Sequence, residues 1–403
     1  MENDASWESF PVNYFDVGLV ENELLSKDIN GGKCDMMVSL DAVLPDDVLE
    51  KILSLLPIAS ILRARSVCKR WHSVVHSRSY SWMNRLPQKP WYFMFTRANS
   101  PTGYAFDPNL RKWYNFDLPC IERSNWLISS SHGLVCFMDN DNRSRIFVCN
   151  PITRYWTRIP EPPGVYLPDY SALAMSVDQC ARSYTIVVAK SKLLPSDLLQ
   201  SELSIHIYES ETGLWVTPFM EILVGWRGGD EGVICNGVFY CLIHRTGVLG
   251  NADIRHGLLM YDLSARSSNT SIMRMSIPVP LQITCGRLMN LKDKLVLVGG
   301  IAKHDRPDII KGICIWELHR NEWREIARMP HRLFQGFGEF DEVFASSGAD
   351  DLVFIQSFGG TALLTFDMKQ RSWKWSVKCP VTKRFPLQLF TGFCFEPRLE
   401  AAH

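Results

Sequence analysis

The sequence lacks an excess of charge of either sign, and it lacks long apolar runs. Lys+Arg 43 against Asp+Glu 43 gives a formal net charge of zero, so no global field would hold a polyanion such as nucleic acid. No run approaches the ~18 apolar residues of a membrane span, and the first residues resemble no signal peptide. We therefore predict no nucleic-acid partner, no membrane and an intracellular chain, with nucleus and cytoplasm both open.

Cysteine pairs with metal-binding or redox spacing are also lacking. No CxxC occurs, and several cysteines alternate with large apolar residues, as Cys394 does between Phe393 and Phe395. We predict that the cysteines are small buried apolar side chains, and that the chain binds neither a metal nor a cofactor. The twelve cysteines are Cys34, Cys68, Cys120, Cys136, Cys149, Cys180, Cys235, Cys241, Cys285, Cys314, Cys379 and Cys394.

Motifs of catalytic sites are the third absence. The chain has no GxSxG, no HExxH and no GxxxxGK[ST], and the glycine-rich stretch GWRGGDEG at 225–232 lacks the lysine and hydroxyl of a phosphate cradle. We predict that this stretch is a flexible loop between repeat units and that the chain is no enzyme. A copper site assembled from distant Tyr, His and Cys residues is the enzymatic alternative that a sequence alone leaves open.

Residues 40–82 have instead the pattern of three short helices. Pro45 with Asp46 and Asp47 is typical of a first helical turn, and apolar residues crowd more than one face before Pro57. A second apolar stripe follows at Val67, Trp71, Val74 and Val75. So few residues rarely bury a core alone, which indicates that surplus apolar surface meets a partner.

LPDDVLEKILSLLP followed by VCKRW resembles an F-box. The resemblance implies a docking domain for a Skp-type adaptor, which would connect the chain to a cullin scaffold. The alternative is a helical hairpin packed on its own domain. The residues that carry the resemblance are Leu44, Pro45, Leu49, Ile52, Leu55, Leu56, Pro57, Val67, Cys68, Lys69, Arg70 and Trp71.

The F-box resemblance also divides the side chains by role. We expect Val67 and Trp71 to stabilise the helices. The predicted adaptor-binding residues are Leu44, Pro45, Val48, Leu49, Ile52, Leu53, Leu56, Pro57, Ile61 and Leu62.

A repeat follows from Trp91 onward. An acidic or amide residue ends a short apolar run and a tryptophan stands six positions later: Asp107 to Trp113, Asn150 to Trp156, Glu209 to Trp215, Glu317 to Trp323 and Asp367 to Trp373. A sixth copy has Asp262 but Ser268 in place of tryptophan. Each copy predicts a tight β-hairpin whose tryptophan packs between units.

The spacing of these hairpins, close to ~50 residues, is typical of kelch repeats. The region resembles kelch repeats and the plant F-box-associated domain, through SSHGLVC at 130–136 and NPITRYW at 150–156. We predict a mainly β fold, a propeller of six four-stranded blades preceded by a small all-α F-box, with 389–395 adding a strand to the blade begun by 91–95. The predicted domains are a disordered acidic tail at 1–38, the F-box at 39–86, the propeller at 87–397 and a C-terminal tail at 398–403.

The resemblance implies a substrate receptor of a Skp–cullin–F-box ubiquitin ligase, with the propeller binding an unidentified target protein. A scaffold that sequesters partners without ubiquitination, or a propeller enzyme with an F-box-like appendage, are the alternatives. Arginines and aromatic residues in charged loops are the favoured contacts for a target. The predicted target-binding residues are Trp226, Arg227, Asp230, Glu231, Arg287, Lys303, His304, Asp305, Arg306, Phe334, Gln335, Phe337 and Glu339.

Overall fold

The structure is a computed structural model. It describes residues 44–76, 88–95, 102–118, 120–122, 126–141, 143, 145–164, 168–246, 256–264, 277–280, 283–302, 309–337, 344–357, 361–380 and 392–399. The predicted acidic tail at 1–38 lies outside these residues, as does Cys34.

Three helices precede the strands and a fourth lies between two late strands. They are α1 (Asp46–Ser54), α2 (Ile58–Ala64), α3 (Lys69–His76) and α4 (His331–Phe337). Pro45 is the N-cap of α1 and Pro57 the N-cap of α2, so the two prolines separate the helices as their missing N–H groups lead one to expect.

The remaining elements are strands, with the following bounds: β1 (Trp91–Phe95), β2 (Thr102–Asp107), β3 (Lys112–Asp117), β4 (Trp126–Ser131), β5 (Leu134–Asp139), β6 (Ile146–Asn150), β7 (Tyr155–Ile159), β8 (Tyr170–Asp178), β9 (Ser183–Leu194), β10 (Asp197–Glu209), β11 (Leu214–Val224), β12 (Trp226–Cys235), β13 (Val238–Arg245), β14 (His256–Asp262), β15 (Ile277–Pro278), β16 (Ile283–Leu291), β17 (Lys294–Ala302), β18 (Ile310–His319), β19 (Glu322–Arg328), β20 (Phe344–Ala349), β21 (Leu352–Ser357), β22 (Leu363–Asp367), β23 (Ser372–Trp375) and β24 (Phe393–Phe395).

These strands form the predicted six blades. Blades 1, 2, 5 and 6 are the separate sheets β24-β1-β2-β3, β4-β5-β6-β7, β16-β17-β18-β19 and β20-β21-β22-β23. Blades 3 (β8–β11) and 4 (β12–β15) join into one eight-stranded sheet, because β8 and β12 pair in parallel at Leu173 and Glu231. The second strand of blade 2, β5, is buried along its whole length, which explains its continuous apolar run LVCFMD.

The ring is closed by the last strand. β24 pairs antiparallel with β1, Phe393 opposite Phe93 and Phe395 opposite Trp91, so the two ends of the propeller sequence share blade 1 as predicted. The innermost strands contact one another around the channel in the order β4, β8, β12, β16, β20, β24 and β4 again. Closure therefore leaves none of these six inner strands as an open edge of the ring.

The repeated acidic or amide residue and tryptophan belong to the outer hairpin of a blade. The Asp107 carboxylate accepts from the backbone N–H groups of Asn109 and Leu110, at 2.8 and 3.2 Å, and the side-chain oxygen of Asn150 does the same in blade 2. The Trp113 Nε1–H donates to the Val377 carbonyl of blade 6 at 2.7 Å. The predicted packing between blades is confirmed for Trp113, Trp215, Trp323 and Trp373, whereas Trp156 is 47% exposed.

Most of the described cysteines are buried, as the sequence predicts. Eight are buried, Cys68 and Cys285 are half-buried, and Cys180 is exposed, so the prediction is wrong for Cys180. Burial raises the pKa of the Cys235 thiol to about 11, and Asp293 adds to the effect. The eight buried cysteines are therefore thiols of the core.

The F-box helices pack on the propeller, so part of their surplus apolar surface is covered within the chain. Leu53 and Ile61 belong to the same buried cluster as Phe93 of blade 1 and Phe137 of blade 2. The Arg63 guanidinium lies over the Tyr114 ring, 5.8 Å from its centroid. Blades 1 and 2 supply unusually many aromatic side chains at this junction, and these cover the inner side of the helices.

The glycine-rich stretch 225–232 is not a flexible loop. Most of it belongs to β12, the innermost strand of blade 4. A Cβ on Gly228 would lie 2.7 Å from Ser191 Cβ, and one on Gly229 would lie 2.7 Å from the Leu242 carbonyl oxygen. The glycines are needed because neighbouring chains approach closely.

Candidate functional site

The channel has two unlike ends. The innermost strands run in one direction, so the turns at 132–133, 236–237 and 292–293 lie at one end, which we call the proximal end. Ile58 and Ile61 of α2 line the channel cavity together with residues of these turns. The F-box helices therefore lie at the proximal end. The distal end is where β8, β12 and β16 begin.

Helix α1 presents an apolar stripe to solvent. Val48, Ile52 and Leu55 stand at i, i+4 and i+7 and are 41%, 42% and 62% exposed. Leu49 and Leu53 alternate with them and are 1% and 0% exposed. The helix is thus apolar on two sides, of which one forms the core and the other is uncovered. We call Val48, Ile52 and Leu55 the α1 stripe.

The structure distributes the predicted adaptor-binding residues over three environments. Three of them are in the core and therefore belong to the packing of the helices rather than to their free surface. Pro45, Val48 and Ile52 are exposed, Leu44, Leu56, Pro57 and Leu62 are half-buried, and Leu49, Leu53 and Ile61 are buried. Leu55, which is not among the predicted contacts, is the most exposed of the α1 stripe.

Arg70 fixes the start of α1. Its Nε donates to Asp46 Oδ1 at 2.7 Å, and its guanidinium also donates to the Leu44 carbonyl. Trp71 is half-buried and packs against the core, as expected for a helix-stabilising residue. Val67 was expected to do the same but is 59% exposed, because it lies in the turn before α3 rather than on its inner face.

The distal end carries a group of charged side chains from three blades. The Arg227 guanidinium stacks over the Tyr170 ring, 3.8 Å from its centroid, and the Arg143 guanidinium donates to Ser171 Oγ at 3.3 Å. We call Arg143, Asp169, Tyr170, Arg227 and Asp230 the distal mouth. Burial lowers the pKa of Arg143, while Asp230, Asp169 and Tyr170 oppose that shift.

Sequence reasoning found Arg227 and Asp230 but missed their partners. Arg143 lies between strands of blade 2, and Asp169 and Tyr170 open blade 3. No spacing in the sequence relates these positions, because only closure of the ring brings the beginnings of neighbouring blades together. Trp226 is half-buried beside them, with its ring packed near Gly257.

The sequence predicts that Arg287 and Glu231 lie in loops. They lie instead in strands β16 and β12, where they form an ion pair inside the channel. They line a cavity of about 770 Å³. The surrounding protein raises the pKa of Glu231 to about 8 by burial, Arg287 opposing this and Asp230 adding to it. Because 39% of the Arg287 side chain is still reachable by water, the pair sits in a solvated channel rather than in a dry core.

Of the remaining predicted target contacts, the structure describes the side chains of Phe334 and Gln335, which lie on α4 and outside the group defined as the distal mouth. Phe334 of α4 packs against the core between blades 5 and 6, while Gln335 of the same helix is exposed. Phe334 is half-buried, so one side of its ring covers the core and the role predicted for it in target binding stays a prediction. Lys303, His304, Asp305, Arg306, Glu339 and the side chain of Phe337 lie outside the described residues.

The described residues contain no group of three or more His, Cys, Asp or Glu side chains placed to hold a metal ion. His244 and His256 come closest, with Nδ1 atoms 3.0 Å apart, but the pair is a hydrogen bond that continues from His256 Nε2 to the Ile283 carbonyl. None of the helices described is long and apolar enough to cross a bilayer.

Comparison with known proteins matches both parts of the chain. Residues 43–82 match the F-box domain, and residues 113–327 match the family described as F-box protein At3g26010-like, beta-propeller. The chain is 55% identical over 414 residues to the F-box/kelch-repeat protein At3g61590 of Arabidopsis thaliana, with 100% of each chain covered.

More distant relatives span most of the same chain. F-box only protein 6 of Arabidopsis thaliana is 24% identical over 369 residues, covering 88% of this chain and 73% of its own. The protein UNUSUAL FLORAL ORGANS of the same plant is 25% identical over 367 residues, covering 84% and 78%. The helices and the blades thus occur together in these relatives.

Proposed function

The chain belongs to the F-box/kelch-repeat proteins, and on that premise we propose that it is the substrate-recognition subunit of a Skp–cullin–F-box ubiquitin ligase. The observation that carries the proposal is the α1 stripe, an uncovered apolar surface on a domain that matches the F-box. A Skp-type adaptor would bury it, and through the adaptor the chain would join a cullin. Two stretches, 285–307 and 332–348, also resemble the plant F-box/kelch protein Hawaiian Skirt, and we propose that the two share a subfamily.

In this proposal the chain performs no bond-making step of its own. The propeller would hold a target protein near a ubiquitin-charged conjugating enzyme, so that a target lysine meets the thioester at high effective concentration. The shared core between α2 and blades 1 and 2 supports this, because it fixes the propeller relative to the adaptor-binding helices. A mobile tether would lower that effective concentration.

The proposed adaptor surface consists of Leu44, Pro45, Val48, Ile52, Leu55, Leu56, Pro57 and Leu62. The buried residues Leu49, Leu53 and Ile61 would support this surface without contacting the adaptor. For the target we favour the distal mouth, because it combines arginine, an aromatic ring and carboxylates at the end of the channel away from the F-box helices. Arg287 and Glu231 would act from inside the channel.

The adaptor proposal is tested with charges on the stripe. Ile52→Asp with Leu55→Asp should abolish co-purification of a Skp-type adaptor, because two carboxylates would be desolvated in an apolar contact. Val377→Asp is the matched control, since Val377 is 44% exposed and follows β23 of blade 6 rather than belonging to the F-box helices. Adaptor binding that survives the double substitution would refute the assignment.

The receptor role needs a second readout. Target proteins are identified as those that bind the wild-type chain but not the Arg143→Glu, Arg227→Glu variant of the distal mouth. We expect these same proteins to lose ubiquitination in the Ile52→Asp, Leu55→Asp variant. If such proteins are captured through the mouth but their ubiquitination and abundance do not depend on the stripe, the chain is a sequestering scaffold instead.

A further inference from the structure

Strand β11, the outer edge of blade 3, differs from the outer strands of the other blades. Those strands are short or charged: β15 has two residues, and β3, β7, β19 and β23 include Lys112, Arg158, Arg324 and Lys374. Short length and basic side chains are the usual protection of an open edge against pairing with another chain. β11 has 11 residues and one charged side chain, Glu221.

Pro218 protects the first half of this edge, but the exposed side chains along the whole edge are mostly apolar. Leu214, Val216, Met220, Ile222 and Val224 are 65%, 52%, 58%, 49% and 70% exposed. Pro218 interrupts the strand, and beyond it Met220, Ile222 and Val224 alternate with the half-buried Glu221 and the buried Leu223. This last segment has a regular ladder with β10, Met220 opposite Ser204 and Val224 opposite Gln200. Among the described strands, β11 pairs with β10 alone.

We propose that β11 is a dimerisation edge, on which a second copy of this chain pairs antiparallel through the segment 219–224. A two-fold axis at Ile222 places Ile222 opposite its copy and Met220 opposite Val224, so all three exposed apolar side chains share one face. Glu221 then faces Leu223 of the other copy, and no two carboxylates are directly opposed. An axis at Glu221 would oppose them.

The overall charge of the chain is compatible with pairing between two copies. Two copies with a formal net charge of zero have no long-range repulsion to overcome. The edge supplies backbone N–H and C=O groups on the outer side of a strand, which an antiparallel strand satisfies and an apolar helix does not. A two-fold contact of identical edges is self-complementary by symmetry.

Sedimentation of the full-length chain over a range of concentrations tests the proposal. Wild type should form a reversible dimer, and Ile222→Lys should be monomeric at concentrations where most of the wild type is dimeric. Val377→Lys, a similarly exposed position on blade 6, should match wild type. A monomeric wild type overturns the proposal, as does a dimer that persists in Ile222→Lys.

Cysteine cross-linking tests the register and is independent of dimer strength. In a Cys34→Ser, Cys180→Ser background, which removes the one exposed thiol among the described residues and the cysteine that lies outside them, Ile222→Cys should form an intermolecular disulfide under mild oxidation, because the two residues face each other across the axis. Met220→Cys should not, since its copy lies four residues away, about 13 Å along the strand. Equal cross-linking at both positions, or more at Met220, overturns the proposed pairing. A wild-type chain that remains monomeric, but whose β11 captures an extended segment of another protein in an Ile222-dependent way, also overturns it.

Discussion

The α1 stripe and the distal mouth are both candidate binding surfaces, but they are assembled differently. The stripe comes from one nine-residue helix and its C-cap residue Leu55, so its composition follows from the helical period. The mouth takes Arg143 from blade 2, Tyr170 from blade 3 and Arg227 from blade 4, and these side chains meet through closure of the ring. One surface depends on local structure, and the other on the whole propeller.

The surroundings of the two surfaces also differ. At the proximal end, side chains bond from blade to blade: Asn236 donates to the Asp293 carbonyl at 2.8 Å, Asn290 to the Ile234 carbonyl at 3.1 Å, and Lys292 pairs with Asp350 at 2.9 Å. Arg398 and Glu396 pair at 2.8 Å beside His132. Arg398, the first residue of the predicted tail at 398–403, thus makes its contacts with the propeller, where its carbonyl also accepts from the Asn150 side chain at 3.0 Å. The polar side chains of this end join blades, whereas those of the distal mouth include the exposed Asp169 and Asp230.

The largest effect is expected where the α1 stripe meets the core, because Ile52 and Leu53 are neighbours with opposite surroundings. Leu53→Ala should lower the free energy of unfolding by about 2–5 kcal/mol through lost burial and a cavity, whereas Ile52→Ala should change it by less than about 0.5 kcal/mol. Urea unfolding, with hydrogen exchange of the α1 amides, measures both. Ile52→Ala should weaken adaptor binding nonetheless. Equal destabilisation by the two substitutions would mean that the stripe is not a free surface.

A second, smaller effect concerns the channel beneath the mouth. Burial, opposed by Arg287, raises the pKa of Glu231 from 4.5 to about 8, so the folded chain binds this proton more tightly than the unfolded chain. The resulting stabilisation is present below pH 4.5 and is lost as the pH rises through about 8. Without screening, a shift from 4.5 to about 8 would be worth about 5 kcal/mol, at about 1.4 kcal/mol per pKa unit. Because 39% of the Arg287 side chain in the pair is exposed to water, we expect about 1–3 kcal/mol.

This pH dependence is measured as the free energy of unfolding in urea between pH 5 and pH 8. Glu231→Gln should remove the decline, while Glu322→Gln, an exposed carboxylate of β19, should keep it. His244 contributes with the opposite sign, because burial, then His256 and Arg227, lowers its pKa from 6.5 to about 4 and its stabilisation is lost as the pH falls through that range. An unchanged slope in Glu231→Gln would show that this carboxylate is solvated like a surface group.

The features that the sequence predicts correctly are local or follow from ring closure, whereas those that it misses depend on which elements meet in the fold. The F-box helices, the hairpins marked by Asp107 or Asn150, and the pairing of β24 with β1 depend on local patterns or on the need to close a ring, and all three are confirmed. The burial of Leu49 and Ile61 and the partners of Arg227 depend on which elements meet, and no spacing encodes that. The prediction of a flexible loop at 225–232 is wrong because glycine also occurs where two chains pack closely, and not in turns alone.

The smallest effect separates those two uses of glycine in β12. If Gly229 served flexibility, Gly229→Ala would stabilise the chain slightly by restricting the unfolded state. Because its added Cβ would meet the Leu242 carbonyl oxygen at 2.7 Å, we expect a loss of about 1 kcal/mol instead. Gly312→Ala in β18 is the matched control, since nothing lies within 4 Å of its added Cβ. Urea unfolding should give a lower free energy of unfolding for Gly229→Ala than for wild type, and a value at or above that of wild type for Gly312→Ala. If Gly229→Ala is as stable as Gly312→Ala, the close approach at the channel wall is not a constraint, and the distal mouth is less rigid than its contacts indicate.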